Sequence, residues 1–270
     1  MNKFSGAIAY IALSIMAILF VIPYTWLVVE SFSPISNLGI TIPSHWTLDN
    51  FIFVLSSGKF QLAIINGLII SVGATLVSVV IGIGPAYTFS RTSFRFRRAL
   101  LLAILFLTGF PTFALLVPTY IYFLKIGLYD SLAGVILFLG ALNLPITIWI
   151  LKNTFDQIPH NIEKAAIVDG TTVLQRILYI FVPMAFPAIS VVFILNFVLN
   201  WGNFYVPYIL LSSGGKLPIS VAIYSFFGSY DVRYNELAAF SFIYTIPAIV
   251  MYIFAQKYMI KAFSIGGTKG

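Results

Sequence analysis

The feature that most constrains this chain is a series of long stretches without one charged residue. They run Phe4–Val29, Phe60–Ser90, Ala99–Leu124, Ser131–Leu151, Ile177–Gly215 and Leu237–Gln256. Each reaches the roughly 20 residues that an α-helix needs to cross about 30 Å of hydrocarbon. Composition agrees: 60% of the 270 residues are apolar, 9% are charged, and the mean hydropathy is +1.00. A water-soluble domain carries roughly 25% charged residues, so lipid must cover much of this surface. The sequence predicts a single all-α, polytopic membrane domain, with six transmembrane helices at about 7–29, 62–88, 99–123, 132–151, 177–200 and 237–257. The first run is longer than the apolar core of a signal peptide, and no A-x-A-like site follows it, so it is read as a retained span. The fifth run is too long for one span and too short for two. It is read as a helix to Asn200, then a partly buried, irregular segment to Gly215, with Pro207 as a breaker and a cavity or protein around its backbone.

Charge placement sets an expected orientation. With the N-terminus inside, Lys3, Arg91, Arg95, Arg97, Arg98, Lys152, Lys164, Arg176, Lys257, Lys261 and Lys269 fall on the cytoplasmic side, against Lys59, Lys125, Lys216 and Arg233 outside. Eleven against four is a positive-inside bias and puts both termini in the cytoplasm. The same placement, in short gaps between apolar runs, argues against nucleic acid as the partner of a chain with net charge +7. The cluster from Arg91 to Arg98 reads as a topology-fixing loop at the headgroups, or as a specific protein or lipid contact.

Function classes drop out by composition. Cysteine is absent, and only His45 and His160 are present, far apart, so thiol chemistry and a zinc site are not expected. No G-x-x-x-x-G-K-[ST] appears, so the chain does not bind ATP through a P-loop. The six charge-free runs carry no His either, so no Asp, Glu, Lys, Arg or His lies within them, whereas proton-coupled carriers and intramembrane enzymes need polar or ionisable groups at depth. A carrier without its own engine implies a separate one. A path without fixed charge suits a neutral, hydroxyl-rich solute. Asn196, Asn200, Trp201, Asn203 and Tyr205 are candidate contacts, and the alternative is that they pack between helices or sit in the aromatic belt.

The loop between the fourth and fifth spans holds structure of its own. Pro159 suits a helix start, Ile162, Ala165 and Ala166 recur at helical spacing, and Gly170 suits a left-handed stop. Thr172 with Gln175 three residues on is a capping box. The expectation is a short surface helix at about 159–170, a sharp turn, and a helix running into span five. Two small residues on one face, Ala165 and Ala166, would let a partner come close; a helix lying on the membrane is the other reading.

The run from Glu163 to Gly170, with Ile180-Phe181-Val182-Pro183, resembles the "EAA" signature of binding-protein-dependent ABC-transporter permeases, E-A-A-x3-G-x9-I-x-L-P. The spacing is intact, but Lys164 stands at the motif glutamate, with Glu163 one residue earlier, and Val182 replaces leucine. Weaker strings resemble the carbohydrate-uptake, maltose-type second permease. These are Ser31-Phe32-Ser33-Pro34 with Trp46 to Phe51, Asn66 to Ser71 through Tyr87, Asn200-Trp201-Gly202-Asn203-Phe204, and the tail from Gly266 to Gly270. The resemblance implies a non-catalytic permease subunit in the cell membrane, importing a sugar or similar neutral solute. It implies that Glu163, Lys164, Ala165, Ala166, Asp169 and Gly170 form the element that couples to a cytoplasmic ATPase dimer. It further implies a second permease subunit, an extracytoplasmic solute-binding protein, and ATP and Mg bound by the ATPase rather than by this chain. By the same resemblance Ser213, Gly214 and Gly215 form a finger entering the binding protein; an ordinary surface turn is the alternative. A stand-alone carrier or channel, or an importer of a non-sugar solute, are the competing functions.

Overall fold

Apolar residues on every face of a helix give it no solvent side, and this is how the long helices of the computed structural model are built. It describes residues 3–39, 41–227 and 232–266, and the side chains of residues 10–39, 41–227 and 232–256. Of the charges used to orient the chain, the side chains of Lys3, Lys257, Lys261 and Lys269 lie outside that range. So does the tail from Gly267 to Gly270. Among the described residues every regular element is helical.

In chain order, α1 is Lys3–Ser31, α2 Asp49–Ser56, α3 Gly58–Arg91, α4 Arg97–Thr108, α5 Thr112–Ile126 and α6 Leu132–Asp156. Next come α7, His160–Val168, and α8, Val173–Arg176, which passes through a π-turn at Ile177–Phe181 into α9, Val182–Met184. Then α10 is Phe186–Trp201, α11 Tyr205–Leu210, α12 Ile219–Ala222 and α13 Tyr234–Gly266, with 3-10 turns at Gly214–Lys216 and Ile223–Phe226.

Four helical stretches are unbroken and apolar enough to cross a membrane: Tyr10–Ser31, Gly58–Arg91, Leu132–Asp156 and Tyr234–Gln256. The other two expected spans are broken. The third bends by 92° between α4 and α5, at Gly109-Phe110-Pro111, where proline has no N–H to continue the ladder. The fifth bends by 79° between α9 and α10. There Pro183 and Pro187 remove two backbone donors, and the π-turn upstream takes up the mismatch, its closing bond running from the Val182 N–H to Ile177. Periodicity and charge locate an apolar run but do not register such breaks. The segment read as irregular, 201–215, contains α11, with Val206, Pro207 and Leu210 buried.

The chain divides into two compact units, Met1–Gln61 with Val221–Pro247, and Leu62–Ser220 with Ala248–Gly270. In the first, Asn50 is buried and ties the segment after α1 down, donating to Ser31 O at 3.0 Å and Ser33 O at 2.9 Å. Its own carbonyl accepts from Asn235 at 3.0 Å. Helix α1 continues past Val29 and buries Glu30, whose carboxylate accepts the Asn37 N–H at 2.7 Å. Apolar side chains of α1 from Tyr10 to Tyr24 are exposed, and Trp26, Leu27 and Val29 are half-buried.

In the second unit, α3 and α6 approach so closely that a Cβ on Gly140 would stand 2.7 Å from Val77 and 3.1 Å from the Ala74 carbonyl. Small residues permit such contacts where the surroundings offer no hydrophobic drive. Two apolar clusters hold this unit. One joins Ile70, Leu116, Val135 and Val206; the other joins Val79, Leu151, Phe155, Phe181 and Val192 beside α7.

Candidate functional site: a charged anchor under a surface helix

With 34 residues, α3 is about 50 Å long, well beyond the ~30 Å hydrocarbon core. Its last turns, bearing Tyr87 and Arg91, meet α7.

Helix α7 begins one residue after the expected start, with Pro159 as its N-cap, and closes as the sequence requires. Gly170 takes φ +78°, a left-handed conformation that costs other residues roughly 1–2 kcal/mol. Thr171 turns back on the Ala166 carbonyl through its N–H at 3.1 Å and its hydroxyl at 2.7 Å. The Thr172–Gln175 capping box is formed in both directions.

Consecutive residues on a helix point about 100° apart, and that separates the motif residues. Glu163 and Ala166 are buried, whereas Lys164, Ala165, Ile167, Val168, Asp169 and Gly170 are exposed. The expectation that Ala165 and Ala166 share a partner-facing surface is thereby corrected: Ala166 packs inward and Ala165 outward.

Glu163 is held by three side chains of its own chain. Tyr87 donates its hydroxyl proton to Oε1 at 2.5 Å, Arg91 Nε lies 3.4 Å from Oε2, and Arg176 Nε lies 3.7 Å from Oε1. The Arg91 Nε contact is an ion pair without hydrogen-bond geometry. The other nitrogens of Arg91 are committed elsewhere. Nη2 donates to the carbonyls of Phe155 at 2.7 Å and Ile158 at 2.5 Å, where α6 ends, and Nη1 lies 2.9 Å from His160 Nδ1. Its guanidinium sits 4.9 Å from the Phe181 ring centre. Arg176 donates to Thr171 O at 2.6 Å and to the Tyr87 hydroxyl at 3.3 Å. Ser90 and Lys152 hold Asp156 beside them, each at 2.7 Å.

Arg91 thus leaves the basic loop to which its sequence position assigned it; its side chain is only 2% exposed. Its role was missed because it is contiguous with Arg95, Arg97 and Arg98. The one available signal was its place at the end of an unbroken apolar run. The cluster ties the ends of α3 and α6, the start of α7 and the turn before α8 into one body. Displacing α7 must then move α3 and α6, or break a buried charge network.

A second set of polar groups lies farther along α3, α6 and α10. Asn196 is completely buried and donates to Thr147 at 2.8 Å and Ser78 at 3.3 Å, while its Oδ1 has no partner among the described residues. Asn200 accepts from Asn143 at 2.8 Å and donates to Thr75 at 3.2 Å. Trp201 is 4% exposed, stacks on Phe197, and covers Gly67. Asn196 and Trp201 are thus buried between helices, Asn203 is half-buried, and Tyr205 is exposed against Phe113. Asn143 joins this set, though its position inside an apolar run gave it no prominence in the sequence.

At the opposite end of α6, Asp130 adopts φ +53° and clasps the segment that follows α11. Its carboxylate accepts the N–H groups of Ser212 at 2.9 Å and Ser213 at 3.0 Å, the Ser213 hydroxyl at 2.5 Å, and Lys216 Nζ at 3.0 Å. Those donors, the Ser213 hydroxyl foremost, hold its pKa well below the usual carboxylate range. Gly214 and Gly215 form a 3-10 turn without positive φ. The turn at Ser213, Gly214 and Gly215 is fastened at its base by Asp130, with open space around the glycines.

Comparison with known proteins gives one consistent match. Residues 78–264 match the family described as binding-protein-dependent transport system inner membrane component. The trehalose transport system permease protein SugB of Mycobacterium tuberculosis is 32% identical, over 92% of this chain and 92% of its own. The inner membrane ABC transporter permease protein YcjP of Escherichia coli K12 is 28% identical, over 97% and 95%. The crystal structure of a bacterial ABC transporter that imports the acidic polysaccharide alginate contains a similar fold, with TM-score 0.83 and 22% identity over 95% of this chain and 96% of that one.

Proposed function

The chain belongs to the family of binding-protein-dependent transport system inner membrane components, and on that premise we propose how this permease subunit is built into an ABC importer. It is a non-catalytic membrane subunit. Each bent pair, α4 with α5 and α8–α9 with α10, makes one crossing, giving six spans with both termini in the cytoplasm. Helix α7 lies on the cytoplasmic side as the coupling helix and docks on one subunit of a separate ATPase dimer, which binds ATP and Mg. A second permease subunit completes the pathway, lipid or that subunit covers the exposed apolar side chains of α1, and an extracytoplasmic solute-binding protein delivers the solute. The segment at Ser213, Gly214 and Gly215 meets that binding protein.

The observation that carries this reading is the construction of α7. Its outer surface is exposed and apolar, with Val168 87% and Ile167 52% exposed beside Lys164 and Asp169. Its inner surface is a buried ion cluster fixed to two long apolar helices. A helix merely resting on lipid needs no such anchor.

The solute class is a sugar or a similarly neutral molecule. Named relatives transport trehalose and other sugars, and the polar groups at depth in this chain are amides and hydroxyls. The test is reconstitution in lipid nanodiscs with the second permease, ATPase and binding protein from the same organism. ATP hydrolysis should rise severalfold when loaded binding protein is added. A chain that purifies without an ATPase and transports without ATP overturns the reading.

A further inference from the structure

The break between α4 and α5 opens a cavity of about 220 Å³. Thr108, Thr112, Asn143, Asn200 and Asn203 give its polar lining, and Phe110 and leucines give its apolar wall. No residue of the lining is ionisable. The break also exposes backbone: Pro111 stands at the N-cap of α5, and no side chain caps the helix. Backbone left unpaired within a membrane survives only against protein or in a wet cavity, and broken helices in transporters bring such backbone to the solute.

The hydrogen-bond capacity of the three asparagines is unequal. An asparagine side chain offers two N–H donors and one carbonyl acceptor. Asn200 accepts from Asn143 and gives one N–H to Thr75, keeping only its second N–H. Asn143 gives one N–H to Asn200 and keeps its carbonyl oxygen and second N–H. Asn203 accepts the Val206 N–H at 3.1 Å and keeps its NH2 group. Donors and an acceptor therefore face a space bounded on its other side by apolar groups. A sugar ring has that division, with hydroxyls at its rim and C–H groups on its faces. The volume is below the ~300–1,000 Å³ of drug-sized sites, so the fit is to one ring at a time.

Resting on the importer reading above, we infer that this cavity is a subsite for one neutral, hydroxyl-rich ring on the translocation path. Asn143 and Asn203 make the contacts, and Asn200 is a positioning residue that fixes the amide of Asn143. This redistributes the expected contacts: Asn196 and Trp201 lie behind the site.

The chain has no cysteine, so single replacements report cleanly. Asn143→Cys, Asn203→Cys and, as a buried reference, Asn196→Cys would each be assembled with the partner subunits in nanodiscs. Each would be labelled on this subunit with a small water-soluble methanethiosulfonate. The expected result is labelling at positions 143 and 203 at least tenfold faster than at 196. Millimolar glucose, maltose or trehalose should slow it severalfold, and glucuronate should not. Labelling at 143 and 203 no faster than at 196 overturns the proposal. So does labelling that no neutral sugar slows, or that glucuronate slows more. ATP hydrolysis by the same preparations tests the importer reading separately, because an inactive site with an active, stimulated ATPase counts against the subsite alone.

Discussion

The two polar networks of the second unit solve one problem with different chemistry. Beneath α7 the groups are acidic and basic: Arg91, Glu163 and Arg176 are nearly buried and pair with one another. Farther along the same helices the groups are neutral: Asn143, Asn196 and Asn200 against Thr75, Ser78 and Thr147. Charge is tolerated where water and a protein partner are near, and at depth only amides and hydroxyls are affordable. The difference also divides the labour. A buried ion network is costly to break and transmits displacement, whereas an amide seam has weak bonds that can be exchanged with a solute.

The sharpest way to break the comparison is to remove Arg91. Arg91→Met leaves Glu163 buried with one charge partner fewer, and loss of a buried partner costs about 3–5 kcal/mol. Thermal unfolding of the purified complex should drop by several degrees, and hydrolysis stimulated by loaded binding protein should fall as α7 loosens from α3. An effect no larger than that of an exposed arginine such as Arg95→Met would reduce the anchor to decoration.

Gly170→Val acts beside the anchor without touching it. It forces a β-branched residue to φ +78°, at a local cost of about 2 kcal/mol. Stimulated ATP hydrolysis should fall at least tenfold with membrane insertion unchanged, both measured on the same preparation. Retained stimulation would mean the turn does not position α7.

The seam should be softer. Bonds of this kind within a membrane average about 0.6 kcal/mol and reach about 1.7. Asn196→Val also removes a buried acceptor that has no partner. Its effect on unfolding should fall inside that range, well under the Arg91 value. A larger loss would show that the amides, not the ions, hold the helices together.

Asp130 is a carboxylate outside both networks and gives the smallest effect. Its folded pKa is depressed, so its stabilisation is complete above the unfolded value near ~3.9 and fades as pH falls through the lower folded value. Amide exchange at Ser212 and Ser213, corrected for intrinsic rates, should therefore be flat from pH 5 to 8. Asp130→Asn should speed it severalfold at every pH in that window.

Much of this was legible in the residues because lipid imposes a strong pattern. The apolar runs, the Gly170 stop and the Thr172 capping box each follow from a local rule; four of the runs are unbroken helices, two are bent pairs, and the stop and the box are formed. What stayed hidden depends on three dimensions. The bends at Gly109–Pro111 and Ala185 lie at prolines inside runs that hydropathy reads as continuous. The inward turn of Glu163 comes from partners 72 and 13 positions away, at Arg91 and Arg176. Asn143 gained meaning only when Asn200 came within 2.8 Å of it.

The central claim is that Glu163 links α7 to the spans and does not itself grip the ATPase. Glu163→Gln removes the charge and keeps the shape, so the measurement is ATPase co-purification together with hydrolysis stimulated by loaded binding protein. The account predicts that the ATPase still co-purifies at the wild-type ratio while stimulation falls at least fivefold, and that Glu163→Asp restores part of it. Loss of the ATPase from the complex, or full stimulation in Glu163→Gln, would contradict it.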